Sequence, residues 1–239
     1  METRGFRTVS WVVILNTPIE HLIVYHLIHP VGLHFAQDAQ HRHVALKLME
    51  GGSAEYQIYR HLSGAASLYT SDLEEFDCVI PPLDLMDLGG YWFVVMPRSV
   101  YGGDAVLVPW FNSVHEILRF IHCSLKGLSF LHGNLIVHRD IKTSNILVNH
   151  FADTSFYNNL NQLRPNLRLA DKLVYALVDF NCSIMFSPTS TPSERRLPAR
   201  ESTVLPCNIP PDVYQGELDY DPFAYDVGSL GMIFCEEFQ

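Results

Sequence analysis

His138-Arg139-Asp140-Ile141-Lys142-Thr143-Ser144-Asn145, followed at once by the apolar run Ile146-Leu147-Val148, is the most informative stretch of the chain. Within six residues Asp140, Lys142 and Asn145 supply a carboxylate, a cation and an amide oxygen. Phosphoryl transfer asks for that set: a carboxylate to orient a hydroxyl, a cation near the transferred phosphate, and oxygen ligands for magnesium. Directly upstream, Val114, Ile117, Leu118, Ile121, Leu125, Leu128 and Leu131 recur at three and four residues, the stripe of an amphipathic helix. Ser113 with Glu116 three residues on reads as a capping box, and Gly133 stands where a left-handed C-terminal residue is expected.

Further upstream the period changes to that of strands. Trp11–Leu15, His21–Ile28, Gly32–Ala36 and His43–Met49 are runs of Val, Ile, Leu and aromatics divided by Pro and polar turns. A short helix follows, with Ser53 as cap, Ile58, Tyr59 and Leu62 on one face, and Gly64 as its end. Val79–Leu83 and Tyr91–Met96 read as two more strands. Two stretches read as loops: Asn149–Asp171, with five Asn, and Ser187–Pro211, in which six prolines preclude regular structure. A strand-rich first part and a helix-led second part predict an α+β fold of two lobes, joined near Pro97–Gly103.

The 239 residues carry 16 Lys plus Arg against 26 Asp plus Glu, a net charge of −10, with 48% hydrophobic and 12% aromatic residues. That composition excludes whole-chain disorder. The acidic balance argues against a nucleic-acid binder that works by neutralising phosphates. Eight acids follow Arg200 with no Lys or Arg after it. Five widely spaced cysteines without a CxxC pair fit buried free thiols in a reducing compartment, hence an intracellular protein, cytoplasmic or nuclear. The histidines crowded between His21 and His43 lack the carboxylates, thiols and spacing of a metal site. No signal peptide is visible after Met1, and Trp11–Leu33 is too interrupted by Asn16, Pro18 and Glu20 for a membrane span, so no membrane association is expected.

The octet at 138–145 resembles the catalytic loop of eukaryotic protein kinases. Around it other segments fall into that family's order. Val44-Ala45-Leu46-Lys47 is similar to the third-strand motif, whose Lys holds the α- and β-phosphates, and Glu55 to the helix acid that pairs with it. Asp179-Phe180-Asn181 stands where the family has DFG, which makes Asp179 a magnesium ligand beside Asn145. Asn181 replaces the Gly as a residue that tolerates a left-handed backbone. Val95-Met96-Pro97-Arg98 resembles the strand entering the hinge, with Met96 as gatekeeper, the Pro97 carbonyl and the Ser99 N–H toward adenine, and Asp104 near the ribose. Pro210-Pro211-Asp212 resembles the APE motif, and Asp226 the helix aspartate that braces the catalytic loop.

The resemblance covers roughly residues 31 to 238 and implies a two-lobed protein-kinase-like fold: a β-rich N-lobe (1–96), a hinge (97–103) and a partial helical C-lobe (104–239) ending at the helix bearing Asp226. It implies ATP and Mg2+ as cofactors and a protein substrate, with Asp140, Lys142 and Lys47 catalytic. Lys142, two residues after Asp140, is the Ser/Thr-kinase feature. Three departures stand out. Only Gly32 remains where the family has a glycine-rich phosphate loop; the insert between Asn145 and Asp179 is long; and the chain stops near the helix of Asp226, which implies that Leu230, Ile233 and Phe234 lack their usual cover. The insert and the DFN spelling resemble divergent fungal kinase-like proteins. The alternatives are a pseudokinase scaffold, favoured by the missing glycines and opposed by Lys47, Asp140, Asn145 and Asp179, and a small-molecule phosphotransferase, opposed by Arg139 and Lys142. Cys182–Ile209 reads as an activation segment whose hydroxyls could carry a phosphate for Arg139.

Overall fold

The computed structural model describes residues 23–26, 33–37, 43–98, 111–149, 163–202, 205, 209–210, 213 and 218–238. The Trp11–Leu15 run, the phosphate-loop remnant at Gly32, Ser99, Asp104 and Asp212 lie outside them. The first part is a five-stranded antiparallel sheet built from β1 (Ile23–His26), β2 (Leu33–Gln37), β3 (His43–Glu50), β4 (Asp84–Asp87) and β5 (Tyr91–Pro97). Their order is β1-β2-β3-β5-β4. Between β3 and β4 runs helix α1 (Ala54–Leu62), capped by the Ser53 hydroxyl, which accepts from the Tyr56 N–H, and burying Ile58, Tyr59 and Leu62 as its spacing predicts.

Val79–Leu83 is not a strand. Pro81 and Pro82 remove two ladder donors, so this stretch makes only a bridge from Val79 to Leu177, and the edge strand begins at Asp84.

The second part is organised on α2 (Val114–Gly133). Ser113 accepts from the Glu116 N–H at 3.2 Å. The reciprocal bond of a capping box is displaced by one residue, because the Glu116 carboxylate takes the Asn112 N–H instead. That buried carboxylate also holds Arg168 and the Tyr175 hydroxyl. The buried face of α2 is Phe120, Cys123, Gly127, Leu128 and Leu131, while Val114, Leu118 and Leu125 are exposed. The predicted stripe is therefore rotated. Gly133 is not left-handed; Leu135, with φ 57°, turns the chain instead.

After α2 come β6 (Ile136–Val137), β7 (Ile146–Val148), α3 (Leu163–Leu169), β8 (Tyr175–Leu177) and β9 (Ile184–Met185). α3 falls inside the stretch expected to be loop, with Pro165 in its first turn, where a missing N–H costs nothing. The Pro-rich segment also holds short regular pieces: a capped 3-10 turn at Pro192–Arg195, β10 (Leu197–Pro198), and the single-turn α4 (Ala199–Ser202). β10 pairs with β11 (Asp219–Tyr220). α5 (Pro222–Glu237) closes the described chain, capped by Asp221 with Pro222 at its first position.

The face of α5 is covered, contrary to expectation. Leu230 and Ile233 are 1% and 6% exposed, and Phe234 packs edge-on to Phe120 at 6.0 Å. Phe111 and Phe238 complete that aromatic cluster around Phe120 and Tyr175. Of the cysteines, Cys78 and Cys123 are buried, Cys182 is half-buried and Cys235 is exposed, so the expectation of buried thiols holds for two. Among the described residues no helix is long and apolar enough to cross a membrane.

The two parts meet where the carbonyl of Cys78 sits on α2 at Gly127. A Cβ at position 127 would lie 2.5 Å from that oxygen, which is itself held by the Leu177 N–H at 2.9 Å. Gly127→Ala is expected to cost about 1–3 kcal/mol, the range for overpacking a rigid contact. It should appear as a lower denaturant midpoint, and a midpoint equal to wild type would contradict this contact.

Candidate active site

Between the sheet and the β7–β8 hairpin lies an open cleft. Its roof is Leu33, Phe35 and Ala45, its far wall Met96 and Pro97, its floor Leu147 and Val178. Lys47, Tyr59, Asn145 and Asp179 line its polar end. β2 and β3 pair Leu33 with Lys47 and Phe35 with Ala45, so the alternation of the pleat turns these side chains to the same face. β7 and β8 pair Ile146 with Leu177, and this register sets Asn145 beside Val178, whose N–H donates to the Asn145 carbonyl at 3.0 Å. The hairpin thus delivers Asn145 and Asp179 together despite the long insert between them.

Lys47 Nζ stands 2.5 Å from Glu55 Oε1 and 2.5 Å from Asp179 Oδ1. The short spacing from Lys47 to Glu55 still closes the pair, because α1 starts immediately after the turn that follows β3. Burial alone would lower the Lys47 pKa, but Glu55 and Asp179 outweigh it and hold the ammonium above the usual lysine value. Burial pushes the Glu55 carboxyl up against the pull of Lys47. Asp179 goes the other way: burial is overcome by Lys47, and its pKa falls below the ordinary carboxylate range. The triad is an ammonium shared between two acids, with Asp179 the firmly ionised one.

The second group sits on the loop after β6. Asp140 is fully buried. Its Oδ2 accepts from Lys142 Nζ at 2.7 Å and Asn145 Nδ2 at 2.9 Å, while its Oδ1 finds no donor among the described residues. The backbone is held by Asp226 on α5, which accepts the His138 and Arg139 N–H groups at 2.7 Å each and lies 3.1 Å from His132 Nε2. His138 Nδ1 accepts the Asp140 N–H at 3.3 Å. The other ring nitrogen therefore carries the proton and donates to the Val178 carbonyl at 3.0 Å. Phe180 packs between His138 and Tyr59, at ring separations of 5.5 and 5.2 Å, so one apolar column joins α1 to the loop.

The expected left-handed residue at Asn181 is not found. Asp179 itself takes the positive φ, 73°, together with Arg139 at 64°. Tyr59, four residues after Glu55 and hence on the same helix face, is a site residue that sequence reasoning placed only in the core. Arg139 was expected to await a phosphate. Its guanidinium donates to the Tyr220 hydroxyl at 3.2 Å and the Cys182 carbonyl at 3.4 Å, and lies 3.5 Å from Glu201. Nothing in the sequence around Glu201 or Tyr220 marks either as its partner.

A two-lobed α+β fold with a cleft closed by a lysine bridging two acids, above a buried Asp-Lys-Asn loop, is of the protein-kinase-like class. The comparisons agree. The chain is 29% identical to cyclin-dependent kinase 15 of Danio rerio over 125 residues, 52% of this chain and 23% of that protein. It is 28% identical to cyclin-dependent kinase 9 of Homo sapiens over 124 residues, 52% of this chain and 27% of that protein. It is also 28% identical to the serine/threonine-protein kinase US3 homolog of varicella-zoster virus over 116 residues, 46% of this chain and 26% of that protein. No family model matches the chain. The chain spans about a quarter of the length of these curated relatives. Sequence and fold together liken it to the protein kinases, at 28–29% identity over about half of the chain.

Proposed function

We propose that this chain carries a Ser/Thr-type protein kinase activity, transferring the γ-phosphate of ATP to a hydroxyl of a protein substrate inside the cell. The observation that carries the reading is that Lys47, Asp179 and Asn145 line one cleft, with Glu55 paired to Lys47 and Asp140, itself bonded to Lys142, held by Asn145. The printed name of the viral relative, a serine/threonine-protein kinase, supports the same substrate class. The apolar part of the cleft, from Leu33 to Met96 and Leu147, suits a purine. In this reading the Pro97 carbonyl meets the polar edge of the purine, while the adenine and ribose roles that the resemblance gives Ser99 and Asp104 fall outside the described residues. Lys47, kept charged and in place by Glu55, holds the α- and β-phosphates.

The residues present fit magnesium. Asp179 is an ionised carboxylate, and the Asn145 amide nitrogen is committed to Asp140, which leaves its oxygen as a second hard donor. Asn145 and Asp179 would hold the ion, which would supply neutralising charge to the phosphate oxygens. Asp140 Oδ1, with no donor among the described residues, accepts the proton of the substrate hydroxyl. That hydroxyl oxygen bonds to the γ-phosphorus as the bond from phosphorus to the bridging oxygen of ADP breaks. Lys142, on the other oxygen of Asp140, keeps the carboxylate oriented and offers positive charge to the phosphate in transit.

Calorimetric titration with Mg-ATP tests this assignment. Asp179→Asn is expected to weaken binding about tenfold or more, the loss of one charged contact of about 1.5–3 kcal/mol. Equal affinity in wild type and variant would contradict the role of Asp179.

A further inference from the structure

The sheet has a second face that the cleft does not use. Leu33, Phe35, Ala45, Lys47 and Met96 line the cleft, so the pleat turns the alternate residues of β2, β3 and β5 to the opposite side. There Ala36, Val44, Leu46 and Val95 form a small separate core, 0–5% exposed. The apolar surface continues where that burial stops. Phe93, packed against this core, pairs across the ladder with Leu48 on one side and Met86 on the other. Leu48 and Met86 are 41% and 40% exposed. At the hairpin end, where Leu88 donates to the Tyr91 carbonyl at 2.8 Å, both residues are 54% exposed. A contiguous apolar stripe of this kind marks an interaction site more often than a bare surface.

Two further features say what the stripe fits. The first is an open edge. β4 is the last strand in the order β1-β2-β3-β5-β4, and no strand among the described residues pairs with its far side. An edge of this kind offers backbone donors and acceptors to an incoming strand. The Leu85 N–H on β4 is held only by the neighbouring Asp84 carboxylate, at 2.8 Å. The second feature is charge. Glu50, two residues after Leu48, and Asp84, two before Met86, stand on the same face, with Asp87 beside them, and all three are exposed. The outer positions of β2, β3, β4 and β5 carry no Lys or Arg. Two copies of β4 laid edge to edge would set carboxylate against carboxylate, which disfavours a second copy of this chain as the occupant.

We propose that β4 and the stripe beside it are a docking site for an extended segment of a partner protein in which apolar residues alternate with Lys or Arg. Such a segment adds a sixth strand to the sheet. Strand alternation then turns its apolar side chains to the face of Met86 and Leu88, and its cations to the side of Asp87. A cation near Asp84 also draws that carboxylate off the Leu85 N–H and frees the group for the ladder. The site lies on the face of the sheet opposite Lys47, and the inference is independent of the phosphoryl-transfer reading.

The test titrates the 239-residue protein into a labelled octapeptide of alternating Val and Lys, acetylated and amidated, and follows fluorescence anisotropy. The expected result is saturable binding of one peptide per chain. A Val and Glu peptide, and a Val and Lys peptide N-methylated on the residues that face β4, should each bind about tenfold or more weakly. The double variant Asp84→Asn, Asp87→Asn keeps the acceptors of the Leu85 and Gly89 N–H groups and removes only charge. It should weaken binding about three- to tenfold, the share of two exposed ion pairs. If that variant fails to fold, the peptide series decides alone. Binding of the Val and Glu or the N-methylated peptide as tight as that of the Val and Lys peptide would overturn the proposal, as would no binding of any. A dimer of the free chain that Met86→Glu abolishes would overturn it as well, by making a second copy the occupant.

Discussion

Asp140→Asn is expected to lower phosphorylation of a peptide substrate by about 10²–10⁴-fold, the usual contribution of a positioned proton acceptor, and to leave Mg-ATP affinity unchanged. The asparagine is isosteric, so it can still accept from Lys142 and Asn145 through one oxygen, the contacts now made by Oδ2. What it loses is the second carboxylate oxygen, the one with no donor among the described residues. A fall in turnover without a change in nucleotide affinity marks a group used in the transition state alone. Parallel loss of affinity and turnover would show instead that the loop had moved.

The second large effect falls on stability. In Asp226→Ala the His138 and Arg139 N–H groups lose their acceptor in a buried site, and His132 loses its partner. Each orphaned donor costs about 1–3 kcal/mol, and Arg139 must hold its left-handed φ of 64° unaided. A loss of about 3–5 kcal/mol is expected, a large share of the roughly 5–15 kcal/mol typical of a domain. Asp226→Asn keeps one acceptor oxygen and should lose less. Denaturant unfolding of the two variants beside wild type measures both; an alanine variant as stable as wild type would show that the loop is held some other way.

The fold was legible where a local rule and the tertiary environment agree. Ser53 caps α1 and Ile58, Tyr59 and Leu62 face inward because one stripe of that helix is apolar and is covered by the core around β3, β9 and Phe180. It was misread where several apolar patterns coexist. α2 carries Val114, Leu118 and Leu125 at helical spacing as well as Phe120, Cys123 and Leu131, and a period alone cannot say which face a sheet will cover. Gly127, invisible to a hydrophobic pattern, marks the face that is buried, because only there can the Cys78 carbonyl approach. The polar loop at 138–145 was legible because its chemistry is contiguous. Lys47, Glu55 and Asp179 were found only through the family order, since nothing local joins β3 to a strand hairpin 132 residues away. Glu201 and Tyr220 were missed because their meaning depends wholly on where Arg139 lies.

The claim at the centre is that this cleft transfers phosphate to protein hydroxyls. Its most direct test incubates the 239-residue protein with a degenerate peptide mixture and γ-labelled ATP, with and without magnesium, followed by phosphoamino-acid analysis. The expected result is magnesium-dependent label in phosphoserine and phosphothreonine that disappears in Asp140→Asn. Binding of Mg-ATP without any label in peptide, in wild type as in Asp140→Asn, would contradict it and make the chain a nucleotide-binding scaffold.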